Sequence, residues 1–231
     1  VYDTKGNAAV AQQAAIQAVN EGAKIILGPL HGEAANAAGN AVAGRGINLL
    51  SFSNNTTIAG GNVFVLGATF ENTANRLVGF AAAQGRRNML VVHANNVSGQ
   101  AGRNAIVSAI NGSSARNVGT VAYEFSQEGV INAVGEIKAA AQQGQADTMF
   151  LTSNTSGALP LLSQMLPEAG VSASTVQYIG LTRWDIPSQT LALPGVQGGW
   201  FARPDAALTQ QFQTRYAQAY GGLPHALGGL A

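Results

Sequence analysis

Lys24-Ile25-Ile26-Leu27-Gly28-Pro29-Leu30-His31-Gly32-Glu33 carries the reading on which the fold turns. Ile25 to Leu27 is a flat apolar run without alternation, which suits a strand buried on both faces of a parallel sheet. Gly28-Pro29 stops it. His31-Gly32-Glu33 then opens an alanine-rich helical stretch to about Ala43, and the first N–H groups of such a helix are free to meet an anion.

The same alternation extends outward in both directions. Upstream, Val10, Ala14 and Ala18 share a helical face that closes at Glu21-Gly22. Downstream, Ile47 to Phe52 and Val63 to Leu66 read as strands, the second after the turn Gly60-Gly61-Asn62. A second series starts near Glu71. Its helices are predicted over 72–83, 99–110, 130–141, 157–166 and 208–220. Its strands are predicted over 89–92, 120–123, 148–151, 176–181 and 199–202. Repeated strand–helix alternation predicts an α/β fold with parallel sheets flanked by helices.

Composition narrows the function. Only 10% of the 231 residues are charged and the formal net charge is +1, so no phosphate-tracking basic surface exists and nucleic acid is excluded as a partner. Cysteine is absent, which removes thiol catalysis, disulfides and cysteine-ligated zinc. His31, His93 and His225 are far apart and lack ligand-spaced partners, so no metal site is expected. Gly195-Val196-Gln197-Gly198-Gly199 precedes a strand rather than a helix and fails the dinucleotide context. No nucleophile elbow or acid–base pair is found. The expectation is a protein that is not an enzyme and needs no cofactor.

Polar residues do gather at the carboxyl ends of the predicted strands, where open α/β sheets bind ligands. The candidate set is His31, Gly32 and Glu33 after the first strand, and Ser51, Ser53, Asn54 and Asn55 after the second. Later loops add Asn96 and Ser98, then Asn154 and Thr155, then Arg183, Trp184 and Asp185. Ser, Asn, Thr and Gly also cap helices and build turns with no ligand at all. Five such loops without a catalytic pattern favour a hydrogen-bonding ligand site. Trp184 is either a platform lining that site or an anchor packing its own loop.

These stretches resemble the leucine-binding-protein-like family of type I periplasmic binding proteins. The resemblance rests on Val1-Tyr2-Asp3-Thr4, Gly22-Ala23 through Ile26-Leu27-Gly28-Pro29, Ser51-Phe52-Ser53-Asn54 and Val63-Phe64-Val65-Leu66-Gly67. It continues through Gly180, Trp184-Asp185, Gly199-Trp200-Phe201-Ala202, Pro204-Asp205, Phe212, Arg215-Tyr216, Tyr220-Gly221 and Pro224. The Trp184-Asp185 turn and the Trp200-Phe201-Ala202 strand resemble the branch of penicillin-binding-protein activator lipoproteins. The resemblance implies two Rossmann-like lobes, residues 1–68 plus 204–231 and residues 69–203, with the change of lobe at Gly67–Ala68. It also implies a strand and helix before Val1 and a helix after Ala231, hence a sheet edge open to association.

For function, the resemblance implies a periplasmic receptor that closes an interlobe cleft on a small polar ligand, such as an amino acid, and passes it to a membrane permease complex. The alternative is a lipid-anchored envelope domain that regulates peptidoglycan synthesis by binding a penicillin-binding protein. The sequence departs from the amino-acid binders in several places. They have a serine or threonine loop at His31-Gly32-Glu33 and a tyrosine near Ser98. They also have an acidic residue near Thr182-Arg183, where this chain offers no carboxylate before Asp185. Glu33 opposes a ligand carboxylate at the helix start.

Overall fold

The computed structural model describes residues 1–225 and 228–229. Positions 226, 227, 230 and 231, the end of the expected first lobe, lie outside the described residues. The chain divides into two compact units: Val1–Thr69 with the chain from Pro204 onward, and Phe70–Arg203.

In the first unit, α1 (Ala8–Asn20) is capped by Asn7, whose side chain accepts from the Ala9 and Val10 N–H groups. Alanines at 11, 15, 34, 35 and 38 let α1 and α2 (Gly32–Val42) pack closely on each other and on the sheet. A Cβ at Gly39 would collide with Val63, so glycine there sets the distance between helix and sheet. The sheet is parallel, in the order β1 (Ile25–Leu27), β2 (Asn48–Ser51), β3 (Val63–Val65).

Register aligns Ile26, Leu49 and Val63 in one row, and this row joins the alanine core. The next row is Leu27, Leu50 and Phe64, with Leu27 52% and Phe64 48% exposed. Burial of Ile25–Leu27 on both faces, expected from its flat apolar pattern, is therefore corrected. The α1–α2 core covers one face of this sheet, and side chains alternate across a strand. α7 (Ala206–Tyr220), capped by Asp205, also belongs to this unit and buries none of its residues, although Phe212, Tyr216 and Tyr220 stack along it.

The second unit is doubly wound. Its parallel sheet runs β5 (Arg116–Tyr123), β4 (Asn88–Ala94), β6 (Thr148–Leu151), β7 (Gln177–Gly180), β8 (Trp200–Phe201). β4 and β6 are buried along almost their whole length because both faces are covered. Met89, Val91, Phe150 and Ile179 pack with α3 (Phe70–Ala83) and α4 (Val97–Asn111). Leu90, Val92, Met149, Leu151 and Tyr178 pack with α5 (Gln127–Gln143) and α6 (Leu159–Glu168). Burial pushes the Tyr123 phenol up to about 12.

β4 pairs with β5 on one side and β6 on the other, so the order reverses at β4. α4 and α6 leave the adjacent strands β4 and β6 towards opposite faces. The crevice between their loops is the place where such sheets bind ligands.

Candidate functional site

The carboxyl ends of β1 and β2 bring three of the predicted residues together. Ser51, buried at the end of β2, donates its hydroxyl to the Pro29 carbonyl at 2.8 Å and accepts from the Ser53 N–H at 3.1 Å. Ser53 Oγ accepts from the Asn55 N–H at 3.0 Å. Asn55 Oδ1 accepts from the Thr57 N–H and hydroxyl and starts a short 3-10 turn at Thr56–Ile58. Its Nδ2 has no partner among the described residues. A Cβ at Gly32 would lie 3.3 Å from Asn55 Nδ2 and 3.4 Å from Ser53 Oγ. A Cβ there would be crowded by both polar groups, so glycine lets the start of α2 approach them closely.

His31 occupies the N-cap position of α2 but makes no side-chain cap. Its ring rests near Gly6, where a Cβ would come within 3.3 Å of Cδ2. The first N–H groups of α2 are thus uncapped beside Ser53 and Asn55. Glu33, in the first turn, and Asn54 are exposed.

In the second unit, the loops flank the crevice at β4 and β6. Asn96 is the N-cap of α4, its Oδ1 accepting from the Gly99 N–H at 2.8 Å, and Ser98 is exposed in the first turn. Asn154 Oδ1 accepts from the Ser156 N–H at 3.1 Å, and Thr155 donates to the Ile186 carbonyl at 2.7 Å. Thr155 therefore ties the β6 loop to the β7 loop.

Arg183 forms a two-bond fork on Asp185, from Nε at 2.9 Å and from a terminal nitrogen at 2.6 Å. Arg203 Nε stands 3.4 Å from the same carboxylate. The Arg183 hydrogen bond holds the Asp185 carboxyl below the usual carboxylate range, against the opposing pull of burial.

Trp184 requires a correction. Its side chain is 0% exposed and sits in the α5–α6 core beside Phe201, with ring centroids 6.2 Å apart. Side chains at Gly180 or Gly199 would collide with the indole, so both backbones close over it. It anchors its loop and presents no face to a ligand. Asp185, expected to accept from a ligand donor, accepts from the two arginines instead.

Sequence reasoning placed the Thr152–Thr155 loop at the site but missed Arg203; the buried hydroxyls of Thr152 and Ser153 have no hydrogen-bond partner among the described residues. The signal for Arg203 was present: it follows β8 by two residues. A hollow of about 500 Å³ near the starts of α5 and α6 is lined by Phe125, Val130, Pro160, Leu161 and Leu193. None of the predicted residues lines it. Among the described residues no cluster of metal-ligating side chains occurs, and no helix is long and apolar enough to cross a membrane.

The fold is shared with known proteins. A substrate-binding protein of an ABC transporter from Desulfitobacterium hafniense is 19% identical with a TM-score of 0.71, over 99% of this chain and 67% of its own. A putative branched-chain amino acid ABC transporter protein from Rhodospirillum rubrum is 16% identical with a TM-score of 0.77, over 99% and 66%. A leucine-binding protein from Thermotoga maritima is 17% identical with a TM-score of 0.60, again over 99% and 66%. The chain thus spans about two thirds of the length of these proteins. No curated protein matches the sequence significantly. The family and these neighbours are binding proteins, not enzymes. The family model described as periplasmic binding protein matches residues 1–231, and the chain belongs to that family.

Proposed function

We propose that the chain is the ligand-binding part of an extracytoplasmic receptor that hands a small polar solute to the permease of an ABC transporter. The observation that carries this reading is the convergence of Gly32, Ser53 and Asn55 beside the uncapped start of α2. Ser53 Oγ and Asn55 Oδ1 hold the turn, which leaves the Asn55 amide and the first N–H groups of α2 as donors for a ligand. The neighbours' description as substrate-binding proteins of ABC transporters supports the same reading.

The test is a thermal-shift screen of amino acids, organic acids, sugars and muropeptides, followed by calorimetry on the hits. Each ligand hydrogen bond is worth roughly 1 kcal/mol net, more to a charged group. Ser53→Ala or Asn55→Ala should therefore weaken a hit about tenfold while the protein still folds cooperatively. Unchanged affinity in both variants would remove this site. A screen without hits would instead favour the envelope-regulator reading, in which the surface engages a penicillin-binding protein.

A further inference from the structure

Two arginines and one aspartate meet at the carboxyl edge of β7 and β8. Arg183 and Arg203 both engage Asp185, so two positive charges against one negative leave this cluster at +1. The aspartate side chain is 11% exposed, whereas those of Arg183 and Arg203 are 38% and 55% exposed. A guanidinium offers five N–H donors. Arg183 uses two nitrogens on Asp185, and Arg203 reaches it through Nε alone.

The remaining donors have no acceptor among the described residues. Asp205, which follows β8, caps α7 by accepting from the Leu208 N–H, and Glu124 follows β5. Glu124 accepts from Asn95 Nδ2 at 2.7 Å and is separated from β7 by β4 and β6. A second observation points the same way. The buried hydroxyls of Thr152 and Ser153, at the end of the neighbouring strand β6, have no partner among the described residues, and buried polar groups normally have one. The Thr182 hydroxyl donates to the Ser153 carbonyl at 3.2 Å and joins the β6 and β7 loops.

We infer that this edge recognises a carboxylate through Arg203 and Arg183, so that the ligand is a small organic acid with no ammonium group at that end. This rests on the receptor reading above. A planar carboxylate matches the guanidinium fork. An ammonium would meet net positive charge there, with the Asp185 carboxylate already engaged by both arginines. Asp185 then works as a positioning residue, holding both guanidinium planes.

The experiment is calorimetry on the full chain with matched sets of acid, amide and α-amino acid on three- to eight-carbon aliphatic and aromatic skeletons, benzoate and benzamide included. The expected result is at least one acid bound tenfold or more tightly than its amide and its amino acid. Arg203→Gln should remove that preference by weakening the acid at least tenfold more than its amide, and Arg203→Lys should retain part of it. The Arg203 side chain is largely exposed, so these variants should melt close to the parent.

An amide or amino acid bound as tightly as its acid would overturn the inference and leave the receptor reading standing. Acid binding indifferent to both Arg203→Gln and Arg183→Gln would do the same. Binding of no compound in the panel would overturn this inference, whereas the receptor reading falls only if the wider screen, sugars and muropeptides included, also finds no ligand.

Discussion

Trp184 illustrates how one side chain can hold a loop at the edge of a binding sheet. Its indole fills the space over Gly180 and Gly199, which both lack a Cβ, and packs against Phe201. Trp184→Ala should destabilise the chain by about 3–5 kcal/mol, as for other large-to-small changes in a core, measured by chemical denaturation. Gly180→Ala should also destabilise, because the indole has nowhere to move. Asp185 gives a second prediction at this scale. Its pKa is lowered in the folded chain, so its contribution is fully present above its unfolded value of roughly 3.9 and is lost as pH falls through the lower folded value. The melting temperatures of parent and Asp185→Asn should therefore differ by a constant amount at neutral pH and converge below about pH 4. The candidate residues were legible in the sequence as strand-end polar groups. Which of them serve a ligand and which serve the loop was not, because Thr155, Asn154 and Asn96 all spend their side chains on backbone groups that only the folded loops bring near.

At the scale of elements, α4 and α5 start in the same way. Each has a polar N-cap, Asn96 or Ser126, whose side chain accepts from the N–H three residues on, at Gly99 or Gly129. In both helices that glycine lies against the end of the preceding strand, where a Cβ would strike the carbonyl of Ala94 or Glu124. The device turns the chain from strand to helix in a few residues and aims the helix N-terminus at the carboxyl edge. Gly99→Ala and Gly129→Ala should each cost about 1–3 kcal/mol through overpacking. Gly135→Ala, inside α5 with nothing within 4 Å of the added methyl group, should stabilise by about 0.5–1 kcal/mol. Denaturation midpoints of opposite sign at the two kinds of glycine would confirm the distinction. The sequence placed these helices within a few residues of their ends, since apolar periodicity and caps are local signals. It did not distinguish a glycine under a carbonyl from one facing water, because both occupy helical positions.

For the chain as a whole, burial is unequal between the two units. β4 and β6 are covered on both faces, whereas the three-stranded sheet keeps half-exposed Ile25, Leu27 and Phe64, and α7 buries no residue. Native-state hydrogen exchange should accordingly find the slowest amides in β4, β6 and β7 and fast exchange in β1 and α7. Equal protection in α7 and β4 would contradict this ranking. The sequence by itself determined the class of fold, because alternating strand and helix signals depend only on neighbouring residues. It also located the strand ends where polar side chains gather. Tertiary structure decided the rest. The reversal at β4, which makes the crevice, depends on pairing between strands that adjoin only in the sheet. Burial on one face or two depends on which helices cover a strand, and an apolar run reads the same in either case. The meeting of Arg203 with Arg183 and Asp185 follows from β7 and β8 lying side by side, so a cation distant in sequence joins a pair that the local sequence shows as self-contained.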